Sequence, residues 1–317
     1  MIYEALEQQL LIEPIKNGAD SLLILSGYAS PNMASWLVKN LSEQNLQTDN
    51  ISLIVGMTSY DGLSISAHNA FKELHSSGTG FFCSYIVDDP PIHSNLYISM
   101  KHNKPYTAFV SSADFTQRSF LSSQMENAEK CSPEEAYRYY CEAESKSIYC
   151  IHNDVENTIL LKQNHYIQDL ENDITAKLSG SSIDKVTLSL LMSNGEIGSI
   201  SGLNWGQREK RNLNQAYIPL PRKIAKSGFF PLSKQHFTVN TDDGKTLILR
   251  VEQQGDKAIT TPLSNAQLGE YFRTRLGLSY GAFVKKSDLI SYGRTDVDFY
   301  KIDDEEYYMD FSRKISL

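Results

Sequence analysis

IHSNLYISMKHNKPYTAFVSSADF, residues 92–115, decides how the first half of the chain is read. A histidine opens it, then an aromatic and β-branched run of strand length, a turn, and a second such run that ends in small polar residues. Two adjacent strands joined by a tight connection account for that order, with Asn103, Lys104 and Pro105 supplying the turn chemistry. Upstream, SLLILSGY (21–28) and ISLIVGM (51–57) are apolar runs of the kind that strands buried on both faces require. Ser30 followed by Pro31 predicts an N-cap with proline in the first helical position, leading into MASWLVKNL. ISAHNAFKELH (65–75) has helical spacing, FFCSYIV is a further strand, and Ser132-Pro133 with Glu135 three residues after the cap opens another helix. Strands alternating with helices predict an α/β domain whose mixed sheet is flanked by helices.

From about Ser182 the texture changes to short strands and turns: VTLSLLM, AYIPLP, FTVNTDDGKTLILRVEQQ and VDFYKI. Asp243-Gly244 is a hairpin signal between two alternating runs, and NAQLGEYFRTRLGL is a single helix among them. This pattern predicts a small closed or open barrel. Residues 153–180 are expected to connect two domains, 1–178 and 179–317.

The chain has 317 residues, 41% of them hydrophobic, which suits one large or two medium domains. No run approaches 18 apolar residues, so no transmembrane helix is expected, and the N-terminus carries acidic residues where a secretory signal carries basic ones. Cys83, Cys131, Cys141 and Cys150 form no CxxC pair and have no histidine at metal-ligand spacing, as reduced cysteines in a cytoplasmic protein would. The net charge of −8 hides an asymmetry. Residues 1–178 hold 11 Lys/Arg against 22 Asp/Glu, net −11; residues 179–317 hold 19 against 16, net +3. Residues 202–230 alone carry six basic side chains and one acidic, a local net of +5. A polyanion-binding second domain fits this shift, and ordinary surface charge is the plain alternative.

Cleaving a phosphodiester without a metal takes a nucleophile, a proton donor for the leaving oxygen, and groups that hold the phosphoryl oxygens. Histidine can be the nucleophile, through a covalent phosphohistidine. A lysine beside it and an Asn or Ser from the next strand can bind the oxygens. Residues two apart on a strand face the same side, so His-x-Lys would bring both groups together. His93 stands in that place, but the residue two along is Asn95. The literal His102-Asn103-Lys104 falls in the turn, where side chains are exposed, and is the poorer candidate. His68 and His75 fall on a predicted helix and His152, His165 and His236 lack motif context, so structural or surface roles are expected of them.

The order SLLILSGYAS, ISLIVGM, IHSNLYIS, AFVSSADFTQRSF and Gln124-Met125-Glu126 resembles the phospholipase D-superfamily nucleases, and among them the NgoFVII-like type II restriction endonucleases. SGLNWGQREKRNLNQAYIPLP (201–221) and LGLSYGAFVKKSDLISYGRTDVDFYKI (276–302) resemble the second half of the same group, so the likeness covers nearly the whole chain. It implies an α/β phospholipase D-like nuclease and dimerisation domain followed by a β-rich B3-like pseudobarrel, acting on double-stranded DNA without a metal or other cofactor. That group's active centre is His-x-Lys, then Gly-Ser-x-Asn, then Glu. Carried over, His93 is the nucleophile, Ser112 an oxygen ligand and Glu126 a histidine-orienting or proton-handling carboxylate. Asn95 stands where lysine is expected, Ser111 where glycine is, and Asp114 where asparagine is. A unit charge at about 4 Å and an effective dielectric near 20 is worth roughly 4 kcal/mol, about a thousandfold in rate if nothing replaces it. Lys101, Lys104 or Arg118, or a protonated Asp114, are the candidates to restore the balance. Two readings therefore stay open: a working site-specific endonuclease, and a sequence-specific DNA-binding protein whose nuclease domain is inactive. A lipid phosphodiesterase is disfavoured by the single motif and the lack of a membrane-binding segment. The superfamily uses two histidines, one as nucleophile and one as general acid. One motif per chain thus implies an isologous homodimer with His93 facing its symmetry mate. A cognate DNA methyltransferase or an ATP-dependent helper subunit is a partner the resemblance leaves open.

WGQREKRN (205–212) interleaves Arg and Lys with Asn, Gln and one large aromatic. Cations neutralise phosphates, while Arg on guanine and Asn or Gln on adenine read base edges. A second cluster lies within residues 275–301. By resemblance the two are the arms with which a B3-like pseudobarrel grips the major groove. The candidates are Trp205, Gln207, Arg208, Lys210, Arg211 and Asn214 in one arm, and Lys285, Lys286, Tyr292 and Arg294 in the other. Solvated basic loops, with Trp205 and Tyr280 in the core, are the plain alternative.

Overall fold

The computed structural model of the chain describes residues 1–162 and 184–314. It divides into two compact units, Met1–Asn164 and His165–Leu317. The expected boundary at 178/179 and the later part of the expected connecting segment lie outside the described residues. The first part of that segment belongs to the first unit: Val155 and Ile159 are buried, and Leu161–Lys162 pairs as a strand with Leu63–Ser64.

Seven strands make the first unit's main sheet: β1 (Ser21–Ser26), β2 (Asn50–Val55), β4 (Phe81–Ile86), β5 (Asn95–Lys101), β6 (Lys104–Ser111), β7 (Ala128–Lys130) and β8 (Ser147–Tyr149), with β3 (Leu63–Ser64) and β9 (Leu161–Lys162) apart from it. Their spatial order is β7-β6-β5-β1-β2-β4-β8. β1, β2 and β4 run parallel, and β5, β6, β7 and β8 are each antiparallel to their neighbours. The apolar runs form the central strands, buried nearly throughout, as parallel strands must be. Helices start where local chemistry places them. Ser30 Oγ accepts from Met33 N–H ahead of helix Pro31–Glu43, and Ser132 Oγ accepts from Glu135 N–H ahead of helix Pro133–Glu144. The second of these packs Ala136, Tyr140 and Ala143 against Leu96, Ile98 and Ala108 of the sheet.

Strand order reverses at β1, which has β2 on one side and β5 on the other. In open α/β sheets the crevice at such a switch point, outside the carboxyl ends of the parallel strands, is where ligands bind. Two glycines shape that crevice. A Cβ on Gly27 would meet His93 backbone at 3.1 Å, and one on Gly56 would meet Ile92 O at 1.9 Å. Bare backbone after β2 is what lets the segment carrying His93 lie this close, and a side chain after β1 would crowd it. The β5–β6 hairpin turns on His102 and Asn103, both left-handed (φ 53° and 61°), rather than on Asn103, Lys104 and Pro105. A two-residue loop of this type needs positive φ at both positions, which proline cannot adopt, so Lys104 and Pro105 begin β6 beside an irregular register.

The second unit carries β10 (Lys185–Ser189), β11 (Ile218–Pro219), β12 (His236–Thr241), β13 (Thr246–Glu252), β14 (Ala258–Thr260), β15 (Asp296–Lys301) and β16 (Glu306–Asp310). They form one sheet in the order β10-β15-β16-β12-β13-β14-β11, and the edge strands β10 and β11 touch, so the sheet is a nearly closed barrel. Phe230, Phe237, Phe299 and Tyr307 fill it, with ring centroids 5.0 to 5.5 Å apart along Phe237–Tyr307, Phe230–Phe299 and Phe230–Phe237. Helices Asn265–Arg275 and Lys286–Tyr292 bury Leu268, Phe272 and Leu289 against the same core.

Candidate active site and nucleic-acid surface

At the switch point the structure brings together the end of β1, the start of β5 and the end of β6. Asn95 pairs with Ser111 and Leu96 with Leu25. His93 sits exposed just before β5, and Ser112 and Asp114 just after β6. Asn95 turns inward and is buried. Its Oδ1 lies 2.7 Å from Ser26 Oγ and accepts from Gly27 N–H at 3.1 Å, while its Nδ2 donates to Ser112 O at 3.3 Å. Ser26 Oγ also lies 2.7 Å from Tyr28 O and accepts from Phe115 N–H at 2.9 Å. The residue at the lysine position is therefore a clasp that ties three chain segments under the site.

Asp114 accepts from Tyr28 N–H at 3.4 Å and is also hydrogen-bonded by the Asn95 amide. Half-burial pushes its carboxyl above the ordinary carboxylate range, against the pull of Asn95, the Tyr28 N–H and His93, and Glu126 adds to the rise. Ser112 Oγ donates to Glu126 and accepts from Asn127 N–H at 3.0 Å; Glu126 also accepts from Gln124 Nε2. Glu126 is thus engaged with Ser112, whereas the ring that meets His93 is that of Tyr28, edge-on at 5.5 Å between centroids. The Tyr28 hydroxyl donates to Asp61, and that bond pushes the phenol up to about 12. Tyr28 and Asp61 escaped the sequence reading; the only signal was a tyrosine directly after the Ser-Gly that ends β1.

Lys101 and Lys104 pair with each other at the opposite end of β5 and β6, about 20 Å along the strand from Asn95 at the usual rise per residue. Neither replaces the missing cation within one chain. Arg118 lies exposed on helix Gln117–Leu121. Among the described residues no group of three or more His, Cys, Asp and Glu side chains is arranged to hold a metal ion, and no helix is long and apolar enough to cross a membrane.

In the second unit the two candidate segments lie side by side. Buried Asn204 donates to Gly198 O and Val284 O and accepts from Val284 N–H, at 2.8 to 3.0 Å. Arg273, also buried, donates to Leu203 O at 3.1 Å and Ala282 O at 2.8 Å. Gln207 donates to Gly281 O at 2.9 Å, and Tyr280 to Asn212 at 2.8 Å. Residues 198–215 and 280–286 thus form one braced surface. Arg208, Lys210, Arg211 and Lys285 are exposed on it. Arg211 lies over the Trp205 ring at 4.2 Å, and Lys286 pairs with Glu196 at 2.9 Å.

Three of the candidates point inward. Asn214 is fully buried and accepts from Gly281 N–H at 2.8 Å. Tyr292 donates to Phe311 O at 2.7 Å and accepts from Arg275 at 2.6 Å. Arg294, with its side chain 1% exposed, is surrounded by Asp296, Asp298 and Asp310 at 2.6 to 3.1 Å. A guanidinium neutralised by three carboxylates has no charge left for a phosphate, so these residues build the surface rather than read from it. For Arg294, Asp296 and Asp298 follow closely in sequence, but Asp310 reaches it only through the pairing of β15 with β16.

No curated protein matches the chain. Among solved structures, similarity is found to NucT from Helicobacter pylori (12% identity, 47% of this chain and 96% of that one, TM-score 0.33) and to polyphosphate kinase from Porphyromonas gingivalis (18% identity, 55% and 27%, TM-score 0.32). Residues 4–157 match the NgoFVII restriction endonuclease N-terminal PLD domain, and residues 178–303 match the NgoFVII C-terminal B3-like DNA-binding domain. With an exposed histidine at the switch point of one matched domain and a braced cationic surface on the other, the chain has the architecture of a DNA nuclease and belongs to the NgoFVII restriction endonuclease family.

Proposed function

We propose that this protein is a site-specific, metal-independent DNA endonuclease that works as a two-fold symmetric homodimer in the cytoplasm, with the nuclease domain ending near residue 178. A ring nitrogen of His93 attacks the scissile phosphorus and expels one ester oxygen, which takes a proton from His93 of the partner subunit. Water then attacks the phosphohistidine, gives its proton to the now neutral His93 of the partner subunit, and displaces the imidazole from phosphorus. Ser112, set by Glu126, and Asp114 line the phosphoryl position, and Arg208, Lys210, Arg211 and Lys285 hold the duplex. The observation that carries this reading is the exposed His93 beside Ser112 and Asp114, at the strand-order reversal where a ligand is expected.

A second reading has its own support. Asn95 is buried and hydrogen-bonded at both ends of its amide, so the lysine position contributes no cation. On that reading the first unit is a dimerisation platform for a sequence-specific DNA-binding protein. Cleavage of a mixed plasmid and phage DNA panel in excess EDTA, wild type beside His93→Ala, separates the two. Discrete fragments from wild type alone support the nuclease; intact DNA together with a specific gel shift supports the binder. Band-free wild type with no gel shift on any duplex sinks both.

A further inference from the structure

We propose that Tyr28 is a phosphoryl-oxygen donor of the His93 site, supplying from the end of β1 the contact that Asn95 does not supply from β5. This rests on the reading of His93 as the phosphodiester nucleophile. A phosphodiester beside His93 meets carboxylates on several sides, from Asp61, Asp114 and Glu126, and needs a donor to offset them. The Ser112 hydroxyl directs its hydrogen bond to Glu126. Asn95 has spent its amide on backbone and on Asp114 beneath the surface. Tyr28 is 38% exposed, its ring meets that of His93 edge-on at 5.5 Å between centroids, and its hydroxyl donates to Asp61.

The exchange of lysine for asparagine and the placement of this tyrosine are one structural feature. Asn95 Oδ1 holds Gly27 N–H, Ser26 Oγ lies between Asn95 and Tyr28 O, and Asp114 holds Tyr28 N–H. The backbone that presents Tyr28 is therefore fixed by the residue standing where lysine is expected, and by its neighbour at the expected asparagine. Gly27 eases the close approach, since a side chain there would crowd His93 backbone at 3.1 Å. Asp61 comes from the turn after β2, whose Met57 N–H bonds Gly27 O and whose Asp61 N–H bonds Met57 O, so donor and acceptor hang on one scaffold. A phenol is protonated at neutral pH, the Asp61 bond raises it further, and the same bond holds the hydroxyl until a phosphoryl oxygen competes for it. No covalent step is assigned to Tyr28; it is a neutral donor and contributes less than the lysine it replaces.

The test uses full-length protein and sodium orthovanadate as the phosphoryl probe, followed through the ring signals of His93 and Tyr28 in NMR, with no cleavage required. Vanadate is expected to shift both rings, and Tyr28→Phe to weaken its binding about tenfold while leaving the melting temperature near that of wild type. Asp61→Asn should tighten binding several-fold when the Tyr28 hydroxyl is present and have a clearly smaller effect in the Tyr28→Phe background, a non-additivity that plain charge removal does not produce. Binding by Tyr28→Phe within twofold of wild type, or equal effects of Asp61→Asn with and without the hydroxyl, would overturn the assignment. If Tyr28→Phe does not fold, the Tyr28 Cζ signal of wild type decides alone: unmoved at saturating vanadate, it rules the donor role out. Vanadate that leaves His93 itself unshifted in wild type removes the nucleophile reading, and this inference with it.

Discussion

The two units face the same problem, a polyanion, in opposite ways. Around His93 the first unit presents carboxylates and neutral donors, and its one clasping amide is buried. The second unit exposes four cations on two braced segments and buries a fifth, Arg294, among three aspartates. The second unit, matched by the B3-like DNA-binding domain, carries the cations suited to meeting phosphate charges. On the proposed reading the first is left to position a reacting group, a task in which fixed geometry counts for more than charge. Within the second unit itself, the same residue type does two jobs. An exposed arginine keeps its charge for a ligand, whereas an enclosed one spends it on the fold.

Arg294→Ala breaks that division most severely. Removing one partner of a buried charged network costs about 3–5 kcal/mol, and Asp298, itself buried, would keep Lys185 at 2.9 Å and the Thr187 hydroxyl but lose its guanidinium. A fall of well over 5 °C in the melting temperature of the second unit is expected; an unchanged melt with weakened DNA binding would show that Arg294 is a reading residue after all. Gly56→Ala tests the scaffold of the first unit. With its Cβ 1.9 Å from Ile92 O, the backbone ahead of His93 has to move, and overpacking of this kind costs about 1–3 kcal/mol. Thermal melting and the vanadate shift of His93 should both suffer, and a variant with wild-type values in both would dismiss the close approach as unimportant.

Arg208→Ala sharpens the contrast from the other side. Stability should change by no more than about 0.5 kcal/mol, as for an ordinary surface site, while DNA binding weakens. Equal weakening on specific and non-specific duplexes, with the salt slope reduced by about one, marks a phosphate contact; a larger loss on specific sequence marks base reading. The smallest expected effect is that of Asp114→Asn. Burial raises the Asp114 carboxyl in the folded state, so its ionisation costs stability that is intact below the ordinary aspartate pKa and lost as pH rises through the raised one. The asparagine variant should therefore melt slightly higher than wild type at neutral pH, with the gain vanishing in acid. A gain that persists at low pH would point to packing rather than charge.

Much of this was legible in the chain itself. Apolar runs gave the central strands, Ser30-Pro31 and Ser132-Pro133 the helix starts, and the change of texture near Ser182 the second unit, because caps and periodicity are set by neighbours in sequence. The hairpin turn was read one residue late, since local composition favoured Pro105 while the loop length demanded two left-handed residues. Charge patterning marked the basic segment and His93 stood out by motif. Only the tertiary structure decided which of those groups face solvent. The sequence places Asn95 two residues from His93 and says nothing of its turning inward, because the groups that hold it, Ser26 and Gly27, lie more than 60 positions away. Tyr28, Asp61 and His93 meet through β1, the turn after β2 and the lead into β5; Arg294 reaches Asp310 through the pairing of β15 with β16. Such contacts are made by strand pairing, whose partners are fixed by burial across the whole sheet and not by any local pattern.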